Sequence, residues 1–235
     1  MLLSLILILP FLGSLCAAFM PANARNAEAW LSGLVAAACA VLIAMLYPEA
    51  AGEGGLRASV QWLPQFGLEL SLRMDGYSWL FAMLVAFMGV LVVLYARYYM
   101  SPEDPVPRFF AFLLAFMGAM LGIVLSGNLI QLVVFWELTS LTSFMLIAYW
   151  YHRAEARRGA RMAVIVTVAG GLCLFLGVLM IGEIVGSYDL DAVLASGDAI
   201  RQHPWYSAVV VLVALVPLAQ TPRFPFPFWL PHALS

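Results

Sequence analysis

Residues 131–144 read QLVVFWELTSLTSF and place one carboxylate, Glu137, inside a run of apolar residues from about 129 to 151. A run of that length is enough for a helix to cross the hydrocarbon layer. Glu137 then lies near mid-membrane, at about 1.5 Å of rise per residue. Inserting a charged side chain at that depth costs about 2.5–3.5 kcal/mol. We therefore expect Glu137 to face protein or water.

The composition of the whole chain indicates the same environment. Hydrophobic residues make up 64% of the 235 and charged residues 10%, whereas a soluble domain carries about 25% charged residues. A net charge of −2, without a basic stretch interleaved with exposed aromatic residues, argues against a nucleic-acid partner. The three cysteines lack metal-ligand spacing and no nucleophile–base arrangement is present, so we expect no metal, no cofactor and no enzyme active site.

Seven apolar runs are candidates for membrane-spanning helices. They lie at about 1–20, 30–47, 77–96, 109–126, 129–151, 162–185 and 205–219. The first run lacks a positively charged start and a cleavage site, so we interpret it as a helix rather than a signal peptide. The sequence predicts an all-α fold, a polytopic membrane helix bundle of about seven transmembrane helices.

These runs divide the chain into two parts. Residues 1–108 contain three helices and an external loop, 48–76, whose weak alternation of apolar and polar residues predicts a short hairpin over the outer face. Residues 109–235 contain four helices. The prolines after the last run predict a broken helix near 217–231, and broken helices inside a membrane lie against protein or a wet cavity.

Arginine placement predicts the orientation by the positive-inside rule. All basic residues of the chain are arginines. With the N-terminus outside, the cytoplasmic connections contain Arg25, Arg97, Arg108, Arg153, Arg157, Arg158 and Arg161, and the external ones contain Arg57, Arg73 and Arg201. We therefore predict an outside N-terminus.

Hydroxyl side chains accompany Glu137 along its helix. Ser140 shares its helical face, and Thr139 lies on the same turns. Small hydroxylated residues pack helices closely and can carry a line of hydrogen-bonded water. An intramembrane carboxylate is a functional-site hypothesis by default. The alternative is a protonated glutamic acid that serves only as an interhelical hydrogen bond.

Three further positions have simpler interpretations. Asp75 precedes a long apolar run and is expected to cap the N-terminus of a helix. Gly170 and Gly171 are expected to be close-packing positions rather than a nucleotide-binding loop, since no strand or basic residue accompanies them.

Four stretches, taken together, carry a family resemblance. They are MDGYSWLFAML (74–84), VLYARYYM (93–100), RFFAFLLAFMGAMLGIVLSGNLIQLVVFWELTSLTSFMLIAYWY (108–151) and FPFPFWLPHAL (224–234). They resemble the first large subunit of Mrp-type multisubunit cation/proton antiporters. They are similar, at greater distance, to the antiporter-like membrane subunits of respiratory complex I.

The resemblance implies a core of about fourteen helices with two inverted repeats, each with a glutamate and a lysine on a broken helix facing it. Residues 109–235 would form the start of the first repeat. Glu137 matches the family's fifth-helix glutamate, so its partner is expected on another helix. The lysine's place falls on Gln220, with Arg223 one turn later. This departure puts the proton relay of that helix in question.

The resemblance implies a membrane subunit, or a fragment of one, that exchanges H⁺ for Na⁺ without a cofactor. Its ion path would use Glu137, Ser140, Thr139, Gln220 and Arg223. Its partners would be other Mrp-type subunits in a hetero-oligomeric complex of the bacterial inner (plasma) membrane. Two alternatives stay open: a complex I-type proton-translocating NADH dehydrogenase subunit, and a truncated or degenerate structural module that does not transport.

Overall fold

The computed structural model describes residues 1–21, 24–52, 54–63, 68–101 and 104–221. Two compact units divide the chain, Met1–Ser126 and Gly127–Ser235. Each unit is described by itself.

The first unit is a helical bundle with one hairpin. Its elements are α1 (Leu2–Ala18), α2 (Arg25–Met45), α3 (Tyr47–Ala50), β1 (Leu56–Leu63), β2 (Leu68–Met74), α4 (Gly76–Tyr99) and α5 (Val106–Val124). Helix α1 packs against α5 and α2, and α2 packs against α4. Because bilayer lipid is as apolar as leucine, such helices associate through close packing and interhelical hydrogen bonds.

Side chains of this unit supply those hydrogen bonds. The Ser14 hydroxyl of α1 donates to the Ala111 carbonyl of α5 at 2.7 Å. The Trp79 indole N–H of α4 donates to the Ile43 carbonyl of α2, also at 2.7 Å. Both bonds tie helices that are far apart in sequence, and they fix the level at which those helices meet.

The hairpin predicted within 48–76 is present. Strands β1 and β2 are antiparallel, with Leu56 opposite Met74 and Val60 opposite Leu70. Strand β2 leads directly into α4. Whether the hairpin lies on the outer face stays a prediction.

Asp75 caps α4, as predicted. Its Oδ1 accepts a hydrogen bond from the Ser78 backbone N–H at 2.8 Å, and its Oδ2 accepts one from the Arg73 guanidinium at 2.8 Å. Burial by itself would raise the pKa of Asp75. The hydrogen bonds from Ser78 and the charge of Arg73 outweigh that effect and hold this pKa below its usual range.

The second unit is built around one long helix. Its elements are α6 (Leu129–Ile147), a 3-10 turn (Ala148–Trp150), α7 (Ala154–Val185), α8 (Leu190–Ala195), α9 (Gly197–Gln202) and α10 (Tyr206–Gln220). Helix α7 packs against α6 on one side and α10 on another. Asn128 caps α6 by accepting from the Ile130 N–H at 2.8 Å. Gly186, with φ of 75°, ends α7 in a left-handed conformation that favours glycine.

Each of the seven predicted runs corresponds to an apolar helix, which confirms a polytopic membrane helix bundle. Among the described residues, five helices are long and apolar enough to cross a membrane: α2, α4, α5, α6 with its 3-10 turn, and α7. Helices α1 and α10 are apolar but shorter. The count of about seven spans therefore includes two helices below full spanning length.

Two helix boundaries differ clearly from the prediction. Helix α2 begins at Arg25 rather than near residue 30, and α7 begins at Ala154 rather than near 162. Both extensions contain arginine, alanine and glutamate, which favour helix in water as well as in lipid. An apolar run therefore marks only the part of a helix that lipid can surround.

Candidate ion-translocation site

Glu137 lies in the middle of α6, about 12 Å along the axis from its first residue, Leu129. The side chain is half-buried within the chain. Leu129 and Val133 on the preceding turns pack against Val178 of α7 in a buried apolar cluster. The packing of α6 against α7 thus fixes the depth at which the carboxyl group sits.

Gly171 of α7 makes room for that carboxyl group. A Cβ atom built on Gly171 would overlap Oε1 of Glu137 and would lie 2.7 Å from its Cδ. Any larger residue at 171 would displace the carboxylate. We call the surface of α7 left open by the missing side chain the Gly171 notch.

The neighbouring glycine faces a different helix. A Cβ atom built on Gly170 would lie 2.7 Å from Cβ of Ala219 and 3.8 Å from the Val216 carbonyl oxygen, both in α10. Gly170 therefore lets the last turn of α10 approach α7 closely. The interpretation of Gly170 and Gly171 as close-packing positions is confirmed.

The two glycines set Glu137 and the end of α10 at the same level of α7. Gln220 follows Ala219 directly and is the last residue of α10. The structure thus brings Glu137 and the backbone of Gln220 to neighbouring sides of α7. Arg223 lies outside the described residues.

The hydrogen-bond ladder of α10 lacks one backbone donor at this level. Pro217 lies inside the helix, and a proline has no N–H to donate to the carbonyl four residues before it. The Thr221 backbone N–H donates to the Pro217 carbonyl at 2.9 Å, and its hydroxyl donates to the same oxygen. Thr221 itself is extended, with φ −94° and ψ 138°. The helix ends inside the predicted break of 217–231, whose residues from 222 onward lie outside the described part of the chain.

The length of α10 agrees with an end inside the membrane. Its 15 residues span about 22 Å, whereas a full crossing of the hydrocarbon needs about 30 Å. If α10 starts at one surface, it stops before the other.

Glu137 has no ionic partner within the residues that the structure describes. Its Oε1 is buried and accepts no hydrogen bond. A buried carboxylate oxygen without a donor is costly, so this oxygen is a place where a proton or a donor can be gained.

The hydroxyls of α6 are turned to their own helix. Thr139 Oγ1 donates to the Trp136 carbonyl at 2.7 Å, and Ser140 Oγ donates to the same oxygen at 3.4 Å. Ser140 lies one turn after Glu137 on the same face, while Thr139 lies about 200° around the helix. The structure therefore brings Ser140 to the side of Glu137 and Thr139 to the opposite side. Each hydroxyl oxygen keeps its capacity to accept a hydrogen bond.

Sequence reasoning found Glu137 but missed its contact with Gly171. The glycine pair was a visible signal of close packing, yet the pattern of α7 alone does not show which helix each glycine faces. That assignment depends on the register between α6 and α7, which the cluster of Leu129, Val133 and Val178 sets.

Two regions of the chain match known families. Residues 126–235 match the family described as "NADH:quinone oxidoreductase/Mrp antiporter, TM". Residues 62–110 match the family described as "NADH-Ubiquinone oxidoreductase (complex I), chain 5 N-terminus". Glu137, the glycine pair and α10 lie within the first of these regions.

Individual proteins show the same relation. The chain is 59% identical, over 234 residues, to a protein of Rhizobium meliloti (strain 1021) named as a probable K⁺/H⁺ antiporter subunit, a match that covers 100% of this chain and 23% of the relative. It is similar to a chain of the Mrp complex from Dietzia sp. DQ12-45-1b, with 29% identity, a TM-score of 0.87, and coverage of 100% of this chain and 25% of that one. It also resembles a chain of respiratory complex I from Thermus thermophilus, with 25% identity, a TM-score of 0.79, and coverage of 99% and 46%.

The chain spans about a quarter of the length of the antiporter subunit from Rhizobium meliloti that it matches. Over that length it carries the apolar helices described above, with Glu137 in the middle of α6 and Pro217 inside α10. These matches show that the chain belongs to the family of Mrp-type antiporter subunits, whose membrane domain is shared with NADH:quinone oxidoreductase.

Proposed function

We propose that this chain is a membrane subunit, or a piece of one, of a multisubunit antiporter that exchanges protons for a monovalent cation, with Glu137 as the proton-carrying group. One observation supports this most: the mid-helix carboxyl group fills the Gly171 notch with one buried oxygen that accepts no hydrogen bond among the described residues. A purely structural carboxyl group would be expected to satisfy both of its oxygens.

The notch gives Glu137 a defined position for gaining and losing a proton. When protonated, the carboxyl group is neutral and suits the apolar contact between α6 and α7. When ionised, it needs a cation or hydrogen-bond donors near the same place. The end of α10 lies at that level, and the last carbonyls of a helix lack intrahelical donors, so they can hold a cation or water there.

Ser140 and Thr139 take supporting roles in this proposal. Ser140, on the face of Glu137, offers a hydroxyl oxygen that can accept a hydrogen bond from water or from the protonated carboxyl group. Thr139 packs on the other side of α6 and would contribute a second polar position along the helix. Neither residue is proposed to change its own protonation state.

Gln220 and Arg223 cannot themselves pass on a proton in the proposed path. Glutamine has no proton to release, and arginine keeps its positive charge at physiological pH. Gln220 can orient water through its amide, and Arg223 can supply a fixed positive charge. The chain contains no lysine that could replace them.

The exported cation is proposed at the level of a monovalent ion. The sequence resemblance suggested Na⁺, while the relative from Rhizobium meliloti is named as a probable K⁺/H⁺ antiporter subunit. Both cations are therefore tested. The proposed partners are other members of an Mrp-type complex, in a bacterial plasma membrane with the N-terminus of this chain outside.

Glu137 variants in the complete assembly test the proposal. Antiport is measured in inverted vesicles as the collapse of a pH gradient on addition of Na⁺ or K⁺. We expect Glu137→Gln to abolish exchange with the active cation and Glu137→Asp to retain part of it. Glu49→Gln, a change at an exposed glutamate in the first unit, serves as the matched control.

Three results would contradict the proposal in different ways. Near-normal antiport with Glu137→Gln would remove Glu137 from the path. Absence of exchange with both cations in the unmodified assembly, together with quinone-linked proton pumping, would favour the complex I-type alternative. Absence of both activities would favour a structural module.

A further inference from the structure

A second carboxyl group is buried in the first unit. Glu28 lies near the start of α2 and is fully buried, with 0% of its surface exposed. Both of its carboxylate oxygens lack a hydrogen-bond partner among the described residues. Helix α2 packs against α1, α4 and α5.

Ser32 lies one turn further along the same face of α2. Its side chain is also fully buried, and its hydroxyl has no partner within the described part of the chain. Residues four apart on a helix are neighbours on its surface. Glu28 and Ser32 thus place three buried oxygens without hydrogen-bond partners on one face of α2.

Ser32 differs from the other buried serine and threonine hydroxyls. Those of Ser126, Thr139, Ser140, Thr142 and Thr167 each donate to a carbonyl three or four residues earlier in the chain. The Ser32 hydroxyl makes no such bond. It is therefore available to the group one turn before it, which is Glu28.

Nearby positive charges are engaged elsewhere. The Arg25 guanidinium of α2 donates to the Met100 carbonyl at 2.9 Å. Arg97 of α4 lies over the Trp30 ring at 5.2 Å, and Arg108 of α5 lies over the Phe112 ring. Helix α1 carries no acidic or basic side chain, and Cys16, its one thiol, is exposed. Among the described residues, no arginine pairs with Glu28.

An ionised Glu28 would be an unpaired charge in an apolar interior, which costs several kcal/mol. A bound metal cation does not solve this problem, since hard cations take about six oxygen ligands and this pair offers three. Binding of a proton, in contrast, removes the unpaired charge. A protonated carboxyl group carries no charge, and its O–H and C=O can bond the serine hydroxyl directly or through one water.

We propose that Glu28 and Ser32 form a proton-binding site in the first unit, in which Glu28 is a neutral carboxylic acid that shares a hydrogen bond with the Ser32 hydroxyl. This site is separate from Glu137, and it does not depend on whether Glu137 carries the exchanged proton.

Infrared spectroscopy of the assembled complex in lipid at pH 7 tests the proposal through the C=O stretching band of protonated carboxyl groups. Glu137→Gln is used as the parent, so that Glu137 does not contribute. Adding Glu28→Gln, which keeps the shape of the side chain, should remove one such band. Adding Glu49→Gln, at an exposed position, should leave the C=O stretching bands of protonated carboxyl groups unchanged.

If the Glu28→Gln variant keeps every C=O stretching band of the parent, Glu28 is ionised and the proposal is overturned. If that variant does not assemble, Ser32→Ala gives an independent result. Loss of the hydroxyl should shift the band to higher frequency without removing it, because the carboxyl group loses a hydrogen bond. An unshifted band in Ser32→Ala would contradict the shared hydrogen bond.

Discussion

At the scale of single residues, the account depends on what lies opposite Glu137. The sequence alone located this glutamate, since a charged residue in an apolar run is rare and visible. It did not locate Gly171, because a glycine leaves no trace of its partner in the sequence. The contact is set by the register of two helices, and that register comes from apolar side chains such as Val133 and Val178.

Gln220 gives a residue-scale prediction. It ends α10 at the level of Gly170 and Gly171, where the family resemblance expects a lysine. A desolvated lysine can release and regain a proton, whereas a glutamine cannot. We expect Gln220→Lys to raise proton flux through the complete assembly in proteoliposomes by about tenfold or more, which corresponds to about 1.4 kcal/mol.

The matched control is Gln220→Met, which keeps the length of the side chain without a titratable group. Its flux should stay at or below the level of the unmodified protein. Equal and robust flux in the unmodified protein and the lysine variant would show that a titratable group at 220 is dispensable.

At the scale of helices and strands, the apolar runs predicted which helices exist but not where they end. Helix α7 extends through its arginine-rich start because arginine and alanine favour helix outside lipid as well. The start of α4, in contrast, was predictable from Asp75, since a capping side chain acts within one turn.

The Asp75 cap gives an element-scale prediction about stability and pH. Asp75→Ala removes the acceptor for the Ser78 N–H and the partner of Arg73, and should lower stability by about 1 kcal/mol. The folded-state pKa of Asp75 is lowered, so its contribution is present above the unfolded-state value of about 3.9 and is lost as pH falls through the lower folded-state value.

Thermal unfolding of the purified protein in detergent checks this expectation. The difference in Tm between the unmodified protein and Asp75→Ala should be clear at pH 7 and should shrink below about pH 4. Asp198→Ala, which removes an exposed ion pair with Arg201, should have little effect at either pH. A difference for Asp75→Ala that does not change between the two pH values would contradict the assigned cause.

At the scale of the whole molecule, the sequence predicted a polytopic membrane bundle because its residues are more apolar and less charged than those of a soluble domain. The family assignment adds that this bundle belongs to a longer class of subunits, of which the chain spans part. The orientation in the membrane rests on the arginines alone and stays a prediction.

Cysteine labelling tests that orientation. Single cysteines at Arg157, before the spanning part of α7, and at Asp191 in α8, beyond its end, lie at opposite ends of one long helix. In intact cells, a membrane-impermeant reagent should label position 191 from outside, and position 157 only after the membrane is opened. Labelling of both positions from the same side would contradict the predicted topology.

A double-mutant cycle tests whether Glu137 acts from the Gly171 notch. Gly171→Ala places a methyl group where Oε1 of Glu137 lies, and overpacking of this kind costs about 1–3 kcal/mol. We expect a loss of cation/proton exchange of about tenfold or more.

Glu137→Asp withdraws the carboxyl group by one methylene, so exchange in the double variant should exceed the product of the two single effects. Gly177→Ala, whose Cβ would contact Val213 of α10 at 3.2 Å, is the control and should retain most of the activity. Normal exchange in Gly171→Ala, or strictly independent effects in the double variant, would contradict the account.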